Sequence, residues 1–311
     1  MDRIIYDENL IESFLQDCKL RRFTKHTIQS YKSVLRSFIY FLNRRGKGIL
    51  EVDRGIFKDY IAYLFDEKNY SYKTVENHFS ALSTFYDYLV YEGIAEKNYV
   101  LEIRKRYLRH YKNDIRSSQR KLIGIEEMAY FINSIMDIRD KAMALLFAKT
   151  GIRRKELIAL DVDDVDLDNL TIHLKPTAKR SNRIVFIDYE TASLLRKWLK
   201  VRESIAKCNA LFVSYDTGQR LRRRGVYDAI TKWAEKVGLH NPNSKRLEDH
   251  FTPHCFRHWF TTWLMRNGMP REYVKELRGD ARKEAMDIYY HIDREDLKRM
   301  YLSCIPKLGV E

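Results

Sequence analysis

After Thr24, apolar residues fall at Ile28, Tyr31, Val34, Leu35, Phe38 and Leu42, and Gly46 ends the run. Positions three and four apart share a helical face, so this is the stripe of an amphipathic helix with Thr24 as its N-cap and Gly46 as its stop. A second run follows Ser71, with Val75, Phe79, Leu82, Phe85 and Leu89 before Gly93. The two runs align without a gap, pairing Thr27 with Thr74, Ser33 with Ser80, Leu35 with Leu82, Phe38 with Phe85, Leu42 with Leu89 and Gly46 with Gly93. Such an echo fits two similar helical hairpins in one small bundle, or two amphipathic helices that share good stop signals.

The pattern changes between Arg104 and Lys121. Arg104, Lys105, Arg106, Arg109, Lys112, Arg116, Arg120 and Lys121 face Asp114 alone, with few large apolar residues among them. This stretch marks an interdomain linker, either solvated or lying as a basic strap along a polyanion. Beyond it, helical spacing returns over 125–135 and 139–150. Three short pieces rich in Ile, Val and Phe then read as strands: Leu170–Leu174, Arg183–Ile187 and Ala210–Ser214. The polar loop from Lys175 to Asn182 joins the first two as a hairpin, and helical patterns resume to the C-terminus. The expected fold is mainly α with a small antiparallel β-sheet in the second domain. The expected division is a helical domain over 1–105, a basic linker over 106–121 and a second domain over 122–311.

Charge narrows the class of partner. The 311 residues carry a formal net charge of +14, from 57 Lys and Arg against 43 Asp and Glu, which points to nucleic acid. Hydrophobic residues make up 45% of the chain, so it folds rather than staying disordered. No apolar run reaches about 18 residues, and Met1-Asp2-Arg3 lacks an apolar signal region. Cys18, Cys208, Cys255 and Cys304 are scattered, as reduced thiols in a cytosolic compartment would be. A soluble, cytoplasmic protein with no membrane partner is expected.

Several residues could carry chemistry. In Thr150-Gly151-Ile152-Arg153-Arg154-Lys155-Glu156-Leu157, Gly151 breaks one helix and Arg153 falls at the start of the next, where backbone N–H groups favour a phosphate. An Arg-Arg-Lys cluster by itself is more often a solvated surface. His254 and Arg257, three apart, share one helical face. Arginines from two distant segments can clamp the nonbridging oxygens of one phosphodiester and stabilise the charge of a pentacoordinate transition state. The row His250, His254, His258 has the spacing of metal ligands, but Pro253 argues against a helix through all three and no His-Glu-x-x-His general base is present. Tyr289 and Tyr290 stand among 21 tyrosines, and a phenol of pKa about 10 needs cations and a base to become a nucleophile. The basic segment Gln219 to Gly225 precedes a helix carrying Val226, Ile230, Trp233 and Val237, so Arg222, Arg223 and Arg224 suit phosphate contacts.

Taken together, Thr150-Gly151-Ile152-Arg153-x-x-Glu156-Leu157, His254-x-x-Arg257-His258 and Asp287-Ile288-Tyr289-Tyr290-His291 resemble the three motifs of the tyrosine recombinase (integrase) family, in order. The first domain is similar to that family's core-binding domain. The resemblance implies a two-domain enzyme that clamps duplex DNA, forms a 3′-phosphotyrosyl intermediate without metal, ATP or other cofactor, and works as a homotetramer on paired sites near the nucleoid. It implies that Arg153 and Arg257 bind the scissile phosphate, that His254 is the acid/base, that His258 supports it by hydrogen bonding, that Glu156 is structural and that Tyr289 attacks. The family's hairpin lysine corresponds to Lys179 or Lys175, with Lys179 nearer the tip. Lys175, Arg180 and Arg116 join Arg222, Arg223 and Arg224 as expected DNA contacts. The amphipathic segment from Arg294 to Leu308 is expected to dock on a neighbouring subunit.

One position departs from the family. After Leu277-Arg278-Gly279 the family usually has histidine or tryptophan, and this chain has Asp280. A carboxylate there repels phosphate unless paired. Asp280 therefore orients Arg257 or a neighbour such as Arg282, or another residue fills that place. Two rival readings remain, a type IB-like topoisomerase and a DNA-binding regulator without catalysis.

Overall fold

The computed structural model of the protein describes residues 2–108, 122–176, 182–244, 246–280 and 292–310. Packing divides the chain into two units, 1–115 and 116–311.

The first unit holds α1 (Asp2–Leu20), α2 (Lys25–Asn43), α3 (Arg54–Ala62), α4 (Tyr72–Tyr91) and α5 (Tyr99–Tyr107). The echo in the sequence extends to the caps. Thr24 accepts the Thr27 N–H at 3.1 Å and Ser71 the Thr74 N–H at 3.3 Å, and each cap hydroxyl lies 2.9 Å from the threonine hydroxyl three residues on. Both helices are followed by a left-handed glycine, Gly46 at φ 66° and Gly93 at φ 70°. The stripes meet in an aromatic core around Phe14, Phe38, Phe41, Phe57, Tyr60, Phe79 and Phe85, where burial of the large rings supplies the main stabilisation. Arg104, Lys105 and Arg106 form the last turns of α5, so the basic stretch begins as helix.

In the second unit, α6 (Ile125–Asn133) leads into α7 (Ile138–Thr150), whose residues from Ala142 to Thr150 are buried on every side. A helix apolar all round belongs at a core centre. It packs between α9 (Tyr189–Glu203) and α11 (Pro253–Arg266). After α8 (Arg154–Ala159), a single 3₁₀ turn (Val162–Asp164) precedes a three-stranded antiparallel sheet in the order β1 (Val165–Asp166), β2 (Thr171–Leu174), β3 (Arg183–Phe186). Ile172 pairs with Val185 and Leu174 with Arg183. Beyond the sheet, α10 (Arg223–Lys236), α12 (Arg271–Arg278) and α13 (Arg294–Cys304) complete the unit's described helices.

Two expectations need correction. Ala210–Ser214 is not a strand: it makes isolated bridges, Asp161 with Ala210 and Val213 with Arg220. Its composition reflects burial, and two of its carbonyls are taken by side chains, Leu211 by Trp198 Nε1 at 2.8 Å and Ala210 by Arg202 Nε at 2.8 Å. The sheet's third strand is β1, a two-residue element with too little pattern to read. Secondly, the apolar face of α13 is covered within its own unit. Leu297, Tyr301, Cys304 and Ile305 pack with Phe186, Phe260, Leu264, Met269, Val274 and Leu277. Leu308 and Val310 then enter the main core. Lys149, fully buried, donates to Asp188, Glu190 and the Pro306 carbonyl, while Glu190 accepts the N–H groups of Leu308 and Gly309 at 3.1 and 2.7 Å. Among the described residues, no helix is long and apolar enough to cross a membrane.

Candidate active site

Gly151 ends α7 in the left-handed region, at φ 59°, its N–H bonded to the Phe147 carbonyl at 2.9 Å. A Cβ at this position would stand 2.4 Å from Phe260 Cδ1, so only glycine lets the turn close against α11. That approach brings the first two motifs together. Arg153 is the N-cap of α8, with extended backbone, and its N–H donates to Glu156 Oε2 at 2.7 Å. On the facing helix Pro253 takes the first turn, where its missing N–H costs nothing, and leaves His250 outside α11. His254, Arg257 and His258 follow on one face, the two imidazoles edge to face with centroids 5.1 Å apart.

The Arg257 guanidinium, 5% exposed, donates from Nη1 to the Gly151 carbonyl at 2.8 Å and from Nη2 to the Arg278 carbonyl at 2.8 Å. Arg153 Nη1 reaches the same Arg278 carbonyl at 3.4 Å. Gly279, left-handed at φ 61°, turns the chain at the end of α12 so that Asp280 comes back onto both arginines. Asp280 Oδ1 lies 3.0 Å from Arg257 Nη2 and 3.6 Å from Arg153 Nη2, and Oδ2 lies 2.9 Å from Arg278 Nε, off the line of a hydrogen bond. Of the partners expected for Asp280, Arg257 is the one it meets; Arg282 lies outside the described residues. Burial, and then repulsion from Arg153 and Arg278, push the Arg257 pKa down to about 10, against the pull of Asp280 and Glu156, which leaves it charged at neutral pH.

Glu156 is 1% exposed and holds the cluster from behind. It accepts from Arg153 Nη1 at 3.1 Å and from Arg183 Nη1 and Nη2 at 2.9 and 3.3 Å. Burial acts to raise its pKa, but the bonds and charge of Arg183, with the Arg153 N–H and guanidinium, outweigh it and hold the carboxyl below its ordinary value. In front, a cleft of about 370 Å³ is lined by Ile152, Arg153, Arg154, Lys155, Arg223, Tyr227, Thr252, Pro253, His254 and Arg257. Six of these carry basic or imidazole side chains on an open surface, an environment suited to a nucleic acid backbone.

The other expected DNA contacts divide. Arg222, Arg223 and Arg224 are exposed at the start of α10, Arg223 lining the cleft and Arg224 paired with Asp228 at 2.8 Å. Lys175 is bound to Asp161 and, at 3.1 Å, to Asp164, and Arg220 completes the group on Asp161. Its bond to Asp161 is the main cause of its raised pKa, so it stays protonated as a brace at the base of the hairpin. Arg116, Lys179, Arg180 and Tyr289 lie outside the described residues. No sequence signal marks the roles of Arg183, which binds Glu156 and the Leu277 carbonyl, or of the Arg278 carbonyl, which accepts from Arg153 and Arg257.

The model of the phage integrase family matches residues 124–296, more than half of the chain. The chain belongs to the phage integrase family. The N-terminal SAM-like domain of phage integrases matches residues 10–96. Among relatives, tyrosine recombinase XerC of Pelotomaculum thermopropionicum is 29% identical over 318 aligned residues, covering 96% of this chain and 98% of the relative. XerC of Listeria innocua serovar 6a is 26% identical, covering 92% and 94%. The fold is shared with the Tn1549 transposon integrase solved with transposon right end DNA (TM-score 0.69, 19% identity, covering 93% of this chain and 97% of that one). It is also shared with the lambda integrase dimer solved on a COC′ core site (TM-score 0.66, 16% identity, covering 92% and 97%).

Proposed function

We propose that this member of the integrase family is a site-specific DNA recombinase that cuts and rejoins duplex DNA through a 3′-phosphotyrosyl intermediate. The observation that carries the mechanism is the convergence of Arg153 and Arg257, from segments about a hundred residues apart, on one carbonyl and one carboxylate beside His254. Two guanidiniums so held suit a phosphodiester: they bind its nonbridging oxygens and gain strength as charge builds on them. Tyr289 attacks the phosphorus as its phenol proton passes to His254. The P–O5′ bond breaks, and Lys179 supplies the proton that makes the departing oxygen a 5′-hydroxyl. Rejoining runs the same transfers backwards, so the energy of the phosphodiester is kept in the phosphotyrosine and no nucleotide is consumed. Exchange of strands between two duplexes needs paired cuts on both, which implies a tetramer on paired sites. Arg222 and Arg223 contact the flanking backbone.

The test is covalent trapping on nicked suicide duplexes drawn from the DNA that flanks the gene. The wild-type chain is expected to form a protein–DNA adduct and Tyr289→Phe to form none. An adduct that persists in Tyr289→Phe overturns the assignment of the nucleophile. Relaxation of supercoiled plasmid with no joint molecules would move the activity to that of a topoisomerase.

A further inference from the structure

Both hydrogens of Arg257 Nη2 are already committed in this structure. One goes to the Arg278 carbonyl at 2.8 Å and the other to Asp280 Oδ1 at 3.0 Å. A terminal guanidinium nitrogen has two hydrogens and no more, so a phosphate oxygen that binds there must replace an acceptor. The carbonyl is fixed by the end of α12. The carboxylate, on the far side of Gly279, is 32% exposed on the side chain and can leave by rotation about its own side-chain bonds. Asp280 Oδ1 also faces Arg153 Nη2 at 3.6 Å, and Oδ2 faces Arg278 Nε at 2.9 Å. A single carboxylate thus touches all three guanidiniums of the cluster, the arrangement a tetrahedral oxyanion takes in such a clamp.

We propose that Asp280 is a resident anion of the phosphate clamp, one that an incoming oxyanion must displace. The proposal rests on the reading of Arg153 and Arg257 as phosphate ligands. It makes Asp280 a specificity determinant as well as a placeholder. A carboxylate that stays close to the clamp repels a dianion about twice as strongly as a monoanion. The site is thereby biased toward the singly charged phosphodiester of an intact strand and away from terminal monoesters, inorganic phosphate and sulfate. Burial, and after it the charges of Arg153 and Arg278, depress the Arg257 pKa, and Asp280 pulls against them.

The probe is inorganic sulfate, a small dianion with phosphate geometry, read as the rise in unfolding temperature relative to chloride at equal ionic strength. Sulfate also stabilises proteins by exclusion from their surface, so variants are compared at the same concentration. Asp280→Asn is expected to bind sulfate about fivefold more tightly than wild type, the scale of one partly exposed charge pair. That gain is expected to vanish in the double variant Arg153→Gln, Asp280→Asn. Equal or weaker sulfate binding by Asp280→Asn overturns the proposal, as does a gain that survives in the double variant. In the suicide-substrate assay, sulfate is expected to inhibit adduct formation at a lower concentration for Asp280→Asn than for wild type. Because the unfolding measurement needs no DNA, a wild-type chain that forms no adduct would count against the recombinase reading and leave the decision on Asp280 intact.

Discussion

The Arg183 guanidinium grips both oxygens of the Glu156 carboxylate, at 2.9 and 3.3 Å, while its Nε holds the Leu277 carbonyl at 2.7 Å. One side chain at the start of β3 therefore joins the hairpin to the turn that bears Arg153 and to the last turn of α12. Glu156 is 1% exposed, and removing one partner of a buried pair leaves the other's charge stranded. Glu156→Ala is expected to destabilise the 116–311 unit by about 3–5 kcal/mol. All four tryptophans (Trp198, Trp233, Trp259 and Trp263) lie in that unit, so denaturant unfolding followed by tryptophan fluorescence reads it selectively.

The same carboxylate gives the unit an acid limit of known sign. Glu156 has a folded pKa below its ordinary value of 4.5, so its contribution is complete above 4.5 and is lost as pH falls through the lower folded value. The urea midpoint of the wild-type unit is expected to drop more steeply than that of Glu156→Gln as pH falls below 4.5. Parallel pH profiles for the two would assign the acid sensitivity to other carboxylates.

Gly151 admits no side chain. Alanine there would meet Phe260 at 2.4 Å and hold φ at 59°. The left-handed backbone and the overpacking together are expected to cost about 2–5 kcal/mol. Because the turn also aims Arg153, adduct formation should fall further in Gly151→Ala than in a variant of equal instability in the first unit, such as one that shortens Phe41.

The two hairpin lysines are expected to separate by leaving group. Lys179→Ala should lose on the order of 10²–10⁴-fold in cleavage, the usual worth of a general acid. A substrate with sulfur in place of the 5′-bridging oxygen should restore most of it, since a thiolate departs without a proton. Lys175 is engaged by Asp161 and Asp164, so Lys175→Ala should show a smaller loss that sulfur does not repair. Sulfur rescue of Lys175→Ala alone would exchange the two roles.

Much of the fold was legible because its signals are local. Thr24, Ser71 and Pro253 act within a turn of their own positions, and the stripes they introduce bury the residues the spacing selects. The strand 165–166 is too short for any period, and Ala210–Ser214 shows that β-like composition can mean burial alone. In the site, Arg153, His254 and Arg257 were readable as motif residues. Their convergence was expected from those motifs, but what holds it was not legible: the fit of Gly151 against Phe260 and a carbonyl at the end of α12. The docking of α13 on its own unit was hidden for the same reason: an amphipathic stripe says that a face is covered and not by what.

Lys149 stands four residues before Arg153, buried at the end of α7. Its ammonium donates to the Pro306 carbonyl at 2.7 Å, and its own carbonyl accepts from the Tyr301 hydroxyl at 2.9 Å. Lys149→Met is expected to cost about 3–5 kcal/mol by leaving Asp188 and Glu190 without their cation. Limited proteolysis should then cut first between residues 304 and 310. Cleavage elsewhere first would separate this ammonium from the 304–310 segment.

The fastenings of the 304–310 segment share atoms. Glu190 serves Lys149 and the amides of Leu308 and Gly309 at once, and Leu308 and Val310 fill the core behind them. Lifting any one of these residues strips a buried acceptor or opens a hole, so partial release has no stable stopping point. The last turns of the chain therefore behave as a keystone, either seated or gone, and the helix that ends at the Arg153 turn keeps its footing only while the keystone is in place.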